Sequence, residues 1–195
     1  MIFALGFLLN GACGTASKPV IDQNLSESDD YDLLFQGMPA FKSDGFDFPV
    51  GKPNAKGYYN AQGFGGESAH LGDDWNGTGG GDSDLGFPVY AIANGYVSVV
   101  DEDGGPGWCQ VLRIVHQVDA GLVESLYAHN HEMFVNEGDW VKRGDKIASI
   151  GKCAGRPAHL HLELREEPGL PLGGGYSRDT RGYLDPSEYI KANRP

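Results

Sequence analysis

The hexapeptide Ala158-His159-Leu160-His161-Leu162-Glu163 constrains this chain more than any other stretch. On an extended strand alternate residues share a face, so His159 and His161 project together while Leu160 and Leu162 point the other way. Such a strand needs a core behind it and a polar site in front. Two imidazoles do not close a metal site: zinc takes three protein ligands and leaves the fourth position to water when the site is catalytic. The missing partners must come from distant segments, so the chain has to fold back onto this strand.

Two segments offer those partners. His70-Leu71-Gly72-Asp73-Asp74 sets a His and an Asp four residues apart across a glycine, in a stretch too glycine-rich for a helix. Tyr127-Ala128-His129-Asn130-His131 ends another strand-like run. Of the six His in the protein, these three segments hold all but His116, and the clustering is the signal.

The remainder reads as the scaffold of such a site. Thirty Gly and eleven Pro punctuate many short apolar runs, which predicts a mostly β, antiparallel protein with few short helices. At 195 residues one hydrophobic core is expected. Asn94-Gly95, between the apolar runs at 88–93 and 95–100, predicts a tight turn joining two strands. Residues 137–152 carry two Gly-Asp turns flanking short apolar strands, which predicts a β-hairpin. Biotinyl and lipoyl domains share that pattern, but their lysine-bearing tripeptide is missing from the matching place. The glycine-rich loop Asn76–Asp82 has no P-loop lysine and is expected to be a mobile wall of a cleft. Tyr183–Ile190 is expected to be a closing turn with one short helical turn, and periodicity suggests no helix longer than about two turns.

A net charge of −12 argues against nucleic acid as a partner, because phosphate binding needs a basic surface. Met1–Leu9 is apolar and too short to span a bilayer; it resembles the apolar region of a secretory signal, although no Lys or Arg precedes it. Gly11-Ala12-Cys13 resembles the end of a bacterial lipobox, with Cys13 as the lipidated residue and the one expected membrane attachment. Residues 1–13 are thus expected to be a signal or lipoprotein-like N-terminus, 14–44 an acidic flexible tether and 45–195 the folded domain. Export would place Cys109 and Cys153 where they can pair.

His70-x-Gly-x-Asp74, Tyr-Ala-His129 and His159-Leu-His161 together resemble the signature of the lysostaphin/LytM-type zinc endopeptidases. Pro88-Val-Tyr-Ala, the Gly-Asp segment at 138–145 and Asp185-Pro186 match the same pattern, and the resemblance covers about residues 46–192. It implies a largely antiparallel sheet lining a groove, and hydrolysis of peptide cross-links in bacterial peptidoglycan. His70, Asp74 and His161 are then the expected Zn2+ ligands, and His129 and His159 the expected catalytic pair. Strand parity does not separate His129 from His131; the family pattern selects His129. The implied partners are stem or cross-bridge peptides of the cell wall, acted on by a monomer in the periplasm, cell envelope or extracellular space. Some relatives act without catalysis as regulators of an amidase, and a metal-stabilised binding module is a third reading.

Overall fold

The structure is a computed structural model that describes residues 27–195. Ten strands form one antiparallel sheet: β1 (Tyr58–Gln62), β2 (Asp73–Gly77), β3 (Pro88–Tyr90), β4 (Gly95–Asp101), β5 (Gln110–Val118), β6 (Gly121–Met133), β7 (Trp140–Val141), β8 (Lys146–Ile150), β9 (Leu160–Arg165) and β10 (Tyr183–Leu184). The main path runs β1-β2-β9-β6-β5-β4-β7, with β10 on β9 and the β3–β8 pair attached to β6. The helices are α1 (Glu27–Gly37) and α2 (Pro186–Ala192). The mostly β, antiparallel expectation is met.

Alternation in the strands decides which face is core. On β9, Leu160, Leu162 and Leu164 are fully buried and join Trp75, Leu112, Ile114 and Tyr127 in the main cluster. His161, Glu163 and Arg165 take the opposite face. The β2–β9 register sets Asp74 against His161, while Asp73 and Trp75 pair with Leu162 and Leu160 on the core side. Asp73 therefore serves structure: its carboxylate accepts from the Ser187 hydroxyl of α2 at 2.5 Å and from the Phe64 amide at 3.2 Å. Helix α2 is started by Asp185, whose side chain accepts from Glu188 N, with Pro186 in the first turn.

Four expectations need correction. Residues 14–44 are not a tether throughout: within the described part, α1 spans three turns and docks on the β4–β7 edge. Tyr31 and Phe35 lie one helical turn apart, and their rings meet Tyr96 and Trp140 at 6.1 and 5.0 Å. Phe35 is 1% exposed. The acidic composition masked this short apolar stripe. The signal-like residues and Cys13 lie outside the described residues.

Asn94-Gly95 is a corner and not a hairpin turn, because β3 pairs with β8 and β4 pairs with β5 and β7. Asn94 holds that corner through the Lys42 carbonyl and the Arg143 amide. Likewise β7 and β8 are not paired with each other. The two Gly-Asp turns between and before them close on themselves: Asp139 and Asp145 each accept from the amide three residues earlier. Finally, the glycine-rich loop is pinned. Asp84 is buried and accepts from Gly77 N, and Asp82 pairs with Lys152 and with Ala158 N.

The sixth histidine is part of the core. His116 is fully buried, its Nδ1–H donating to the Asn94 carbonyl at 2.9 Å and its Nε2 accepting from the Ser125 hydroxyl at 2.7 Å. Burial holds its pKa down to about 4, with the Asn94 bond offsetting part of that shift. The unfolded chain takes up this proton near pH 6.5, so between those values the unfolded state binds more protons. Stability is complete above about pH 6.5 and is lost as pH falls toward 4, by roughly 3 kcal/mol from this group. Urea denaturation across that range should therefore show a steeper pH dependence for the wild type than for His116→Gln; equal slopes would contradict the assignment.

Candidate metal centre and active site

Each side chain of the cluster is delivered by a distinct local device. His70 sits in a loop bridged on one side by Gly65 and on the other by Tyr176. The next residues approach β9 so closely that a Cβ at Gly72 would collide with the Leu162 carbonyl, which explains the glycine between His70 and Asp74. Asp74 faces His161 directly across the β2–β9 pair. His129 is placed by a bend. β6 pairs with β9 as far as Ala128 and with β8 from Asn130 on, and His129 lies at the change with φ of 61°. The irregularity re-aims its side chain. At this corner Gly151 packs against the His129 carbonyl with no room for a Cβ.

The donor atoms of His70, Asp74 and His161 form a triangle. Nε2 of His70 is 3.1 Å from Nδ1 of His161 and 3.4 Å from Oδ1 of Asp74, and Nδ1 of His161 is 2.9 Å from the same Oδ1. A tetrahedron of zinc–ligand bonds of about 2.0–2.1 Å has edges of about 3.3 Å, so the triangle fits one face of such a shell. All three residues are buried. Second partners orient both rings. Nδ1–H of His70 donates to the Gln62 carbonyl at 3.1 Å, and Nε2–H of His161 donates to Glu163 Oε1 at 3.3 Å. Each imidazole thereby turns its remaining nitrogen to the common point. The donor set fits zinc.

The electrostatics agree. Burial opposes protonation of His161, yet the carboxylates of Asp74 and Glu163 outweigh it and lift its pKa to about 9. Burial would raise Asp74, but His161, His70 and His159 hold it below the usual carboxylate range. Burial, opposed mainly by Asp74, keeps His70 below the ordinary imidazole value. A compact positive charge is what two carboxylates and two converging imidazoles call for, and a divalent cation supplies it without a proton.

His129 and His159 stand beside the triangle, with ring centroids 4.7 Å apart and His129 5.7 Å from His161. Nδ1–H of His129 donates to the Trp108 carbonyl at 3.2 Å, and Nδ1–H of His159 to the Pro157 carbonyl at 2.8 Å. That leaves Nε2 as the second nitrogen of each ring. Nε2 of His159 is buried, has no hydrogen-bond partner among the described residues, and lies 3.9 Å from Asp74 Oδ2. Burial first, then His159 and His161, push the pKa of His129 down to about 3, so it rests neutral. His131 is exposed.

The cluster opens to a cavity of about 330 Å³ lined by His70, Asp74, His129 and His161, with walls from Trp108, Arg156, Tyr176 and the Gly173–Gly175 backbone. Trp108 is fixed by its indole N–H on the Gly173 carbonyl. The Cys109–Cys153 disulfide, with Cα atoms 6.0 Å apart, ties the segment holding His129 to the loop that leads into His159. Glu163, Arg165 and Glu124 carry roles beyond those expected from the sequence. Arg165 is fully buried, bonding Glu163 at 2.8 Å and Glu124 at 3.3 Å, and so braces the carboxylate that orients His161. The signal was present, since Glu163 and Arg165 continue the His159–His161 alternation.

Comparison with known proteins agrees with this geometry. The family description "Peptidase family M23" matches residues 70–173. Lipoprotein NlpD of Yersinia enterocolitica is 38% identical over 80 residues, covering 41% of this chain and 78% of that protein. Uncharacterized lipoprotein YgeR of Escherichia coli (strain K12) is 36% identical over 80 residues, covering 41% of this chain but 30% of that protein, so the match spans less than a third of its length. Among solved structures, the antimicrobial peptidase lysostaphin from Staphylococcus simulans shares the fold, with a TM-score of 0.53 at 22% identity over 70% of this chain and 50% of that one. The matched region begins at His70, takes in the whole His cluster and covers more than half of the sequence: the chain belongs to peptidase family M23.

Proposed function

We propose that this chain is a zinc-dependent endopeptidase that hydrolyses peptide bonds in bacterial peptidoglycan cross-links. The observation that carries this reading is the donor triangle of His70, Asp74 and His161, with a second, non-converging imidazole pair beside it. The family membership and the fold shared with an antimicrobial peptidase support it. The lipoprotein relatives support an exported, envelope location, as does the paired Cys109–Cys153. Every residue of the site comes from one chain, so a monomer suffices.

His70, Asp74 and His161 would hold the metal. Bound there, zinc supplies Lewis acidity, lowering the pKa of water toward neutrality and polarising a carbonyl oxygen. The chain's own groups supply the rest. The Nδ1–H groups of His159 and His129 are committed to backbone carbonyls, which leaves Nε2 of each to act beside the triangle. Imidazoles so placed accept a proton from water at Nε2 and return it to the departing amine. While protonated, the same nitrogen is a donor to the oxyanion. Trp108 and the Gly173–Gly175 backbone form walls that confine an extended peptide beside these atoms. A binding module or regulator needs no such pair, and the unpartnered Nε2 of His159 weighs against it.

Three expected outcomes test this reading. Metal analysis of the purified chain should find a single tightly held zinc, lost in His161→Ala and kept in His159→Ala; zinc retained in the former would refute the ligand set. Glu163→Gln should weaken zinc affinity by about 10- to 100-fold in a chelator competition, as for other lost partners of a ligating His. In digests of cross-linked peptidoglycan, zinc-loaded His129→Ala and His159→Ala should each lose roughly 100-fold or more in turnover, while His131→Ala keeps most of it. Zinc-loaded wild type that cleaves no cross-link of any chemistry would instead favour the binding module.

A further inference from the structure

Arg156 is the one cation among the residues lining the cavity. The protein carries a net charge of −12, and no other Lys or Arg lines the cavity. Its side chain is 53% exposed at the rim and stands 3.9 Å from Asp74 Oδ2, beyond hydrogen-bond reach. Among the described residues it donates one hydrogen bond, from Nη1 to the Tyr176 hydroxyl at 3.3 Å. A guanidinium has five N–H donors in a planar fork, so most of this one is free to face a ligand.

Its backbone is held from several directions. Arg156 N donates to the Cys153 carbonyl, Cys153 is bonded to Cys109, and Ala158 N donates to Asp82. Tyr176 is fixed in turn: Gln62 Nε2 donates to its hydroxyl at 3.4 Å, and its ring packs 5.1 Å from that of His70. A cation and a hydroxyl are thus presented together at the mouth of the cavity, within a few ångströms of the donor triangle. Asp74, the carboxylate among the residues lining the cavity, faces three imidazoles and stands 3.9 Å from Arg156. The facing walls, Trp108 and Gly173–Gly175, bear no charge.

We propose that Arg156, with the Tyr176 hydroxyl, is a carboxylate-recognition subsite that selects cross-link peptides bearing a free carboxylate beside the scissile bond over neutral, amidated or all-glycine ones. This rests on the peptidase reading given above. The free fork of Arg156 takes the two carboxylate oxygens of the peptide, and Tyr176 holds the guanidinium in the orientation that receives them.

The test uses the zinc-loaded full chain and two soluble cross-linked peptides that differ only in a carboxylate or a carboxamide next to the cross-link. Wild type should favour the carboxylate in kcat/KM by about tenfold to a hundredfold, as for a hydrogen-bonded charge pair, chiefly through KM. The preference should shrink as salt is raised. Arg156→Gln should bring the two substrates to within about threefold of each other, Arg156→Lys should retain part of the preference, and zinc content should be unaltered in both. Equal cleavage of the two peptides by wild type, or an intact preference in Arg156→Gln, would overturn the subsite. If neither peptide is cleaved, the peptidase reading fails instead, and calorimetric binding decides the subsite separately. Carboxylate-selective binding that disappears in Arg156→Gln supports it, and unselective binding overturns it.

Discussion

The site depends on one cross-strand contact, that of Asp74 with His161. Antiparallel pairing of β2 with β9 sets these residues opposite each other on the face turned away from the core, and a slip of one residue would put Asp73 there instead. That register is held by apolar burial, because Trp75, Leu160, Leu162 and Leu164 occupy the core face. A hydrophobic preference therefore decides which carboxylate meets the imidazole. His70 joins them only because Gly72 lets its loop press against β9.

Behind this contact lies a buried row of charge. Arg165 bonds Glu163 and Glu124, and Arg113 lies 3.9 Å from Glu124. Burying such groups costs several kcal/mol each unless they are paired and hydrogen-bonded, so a network like this adds little to stability. What it contributes is orientation. Glu163 is kept charged by His161 and Arg165 against the effect of burial, and in that state it fixes the tautomer of His161. The face of β9 turned to the site is thus committed over its whole length, from His161 to Arg165.

Around the triangle, irregular backbone positions what regular strands cannot. His129 lies where β6 leaves one partner for another, and Trp108 and Cys109 lie where β5 is entered, Cys109 itself with a positive φ. The disulfide joins these to the loop that carries Arg156. Loops held by rigid elements are where recognition groups concentrate. Here the same covalent tie serves the imidazole pair and the cation at the cavity mouth.

Much of this was legible in the residues themselves. Glycine and proline punctuation with short apolar runs specified an antiparallel β protein, and the alternation at 158–163 separated a leucine face from a histidine face, because side-chain direction on a strand has a period of two. Local pattern does not state which strand pairs with which, so Asn94-Gly95 and the Gly-Asp turns were read as hairpins although their strands bond elsewhere. Composition likewise concealed α1, whose two aromatic rings dock only because Tyr96 and Trp140 are brought together by β4 and β7. Parity could not tell His129 from His131, and a backbone bend with φ of 61° separated them. The sequence by itself determined the kind of fold and which residue types would meet. The tertiary structure alone decided their distances, their tautomers and the placing of Arg156, because these follow from contacts between segments far apart in the chain.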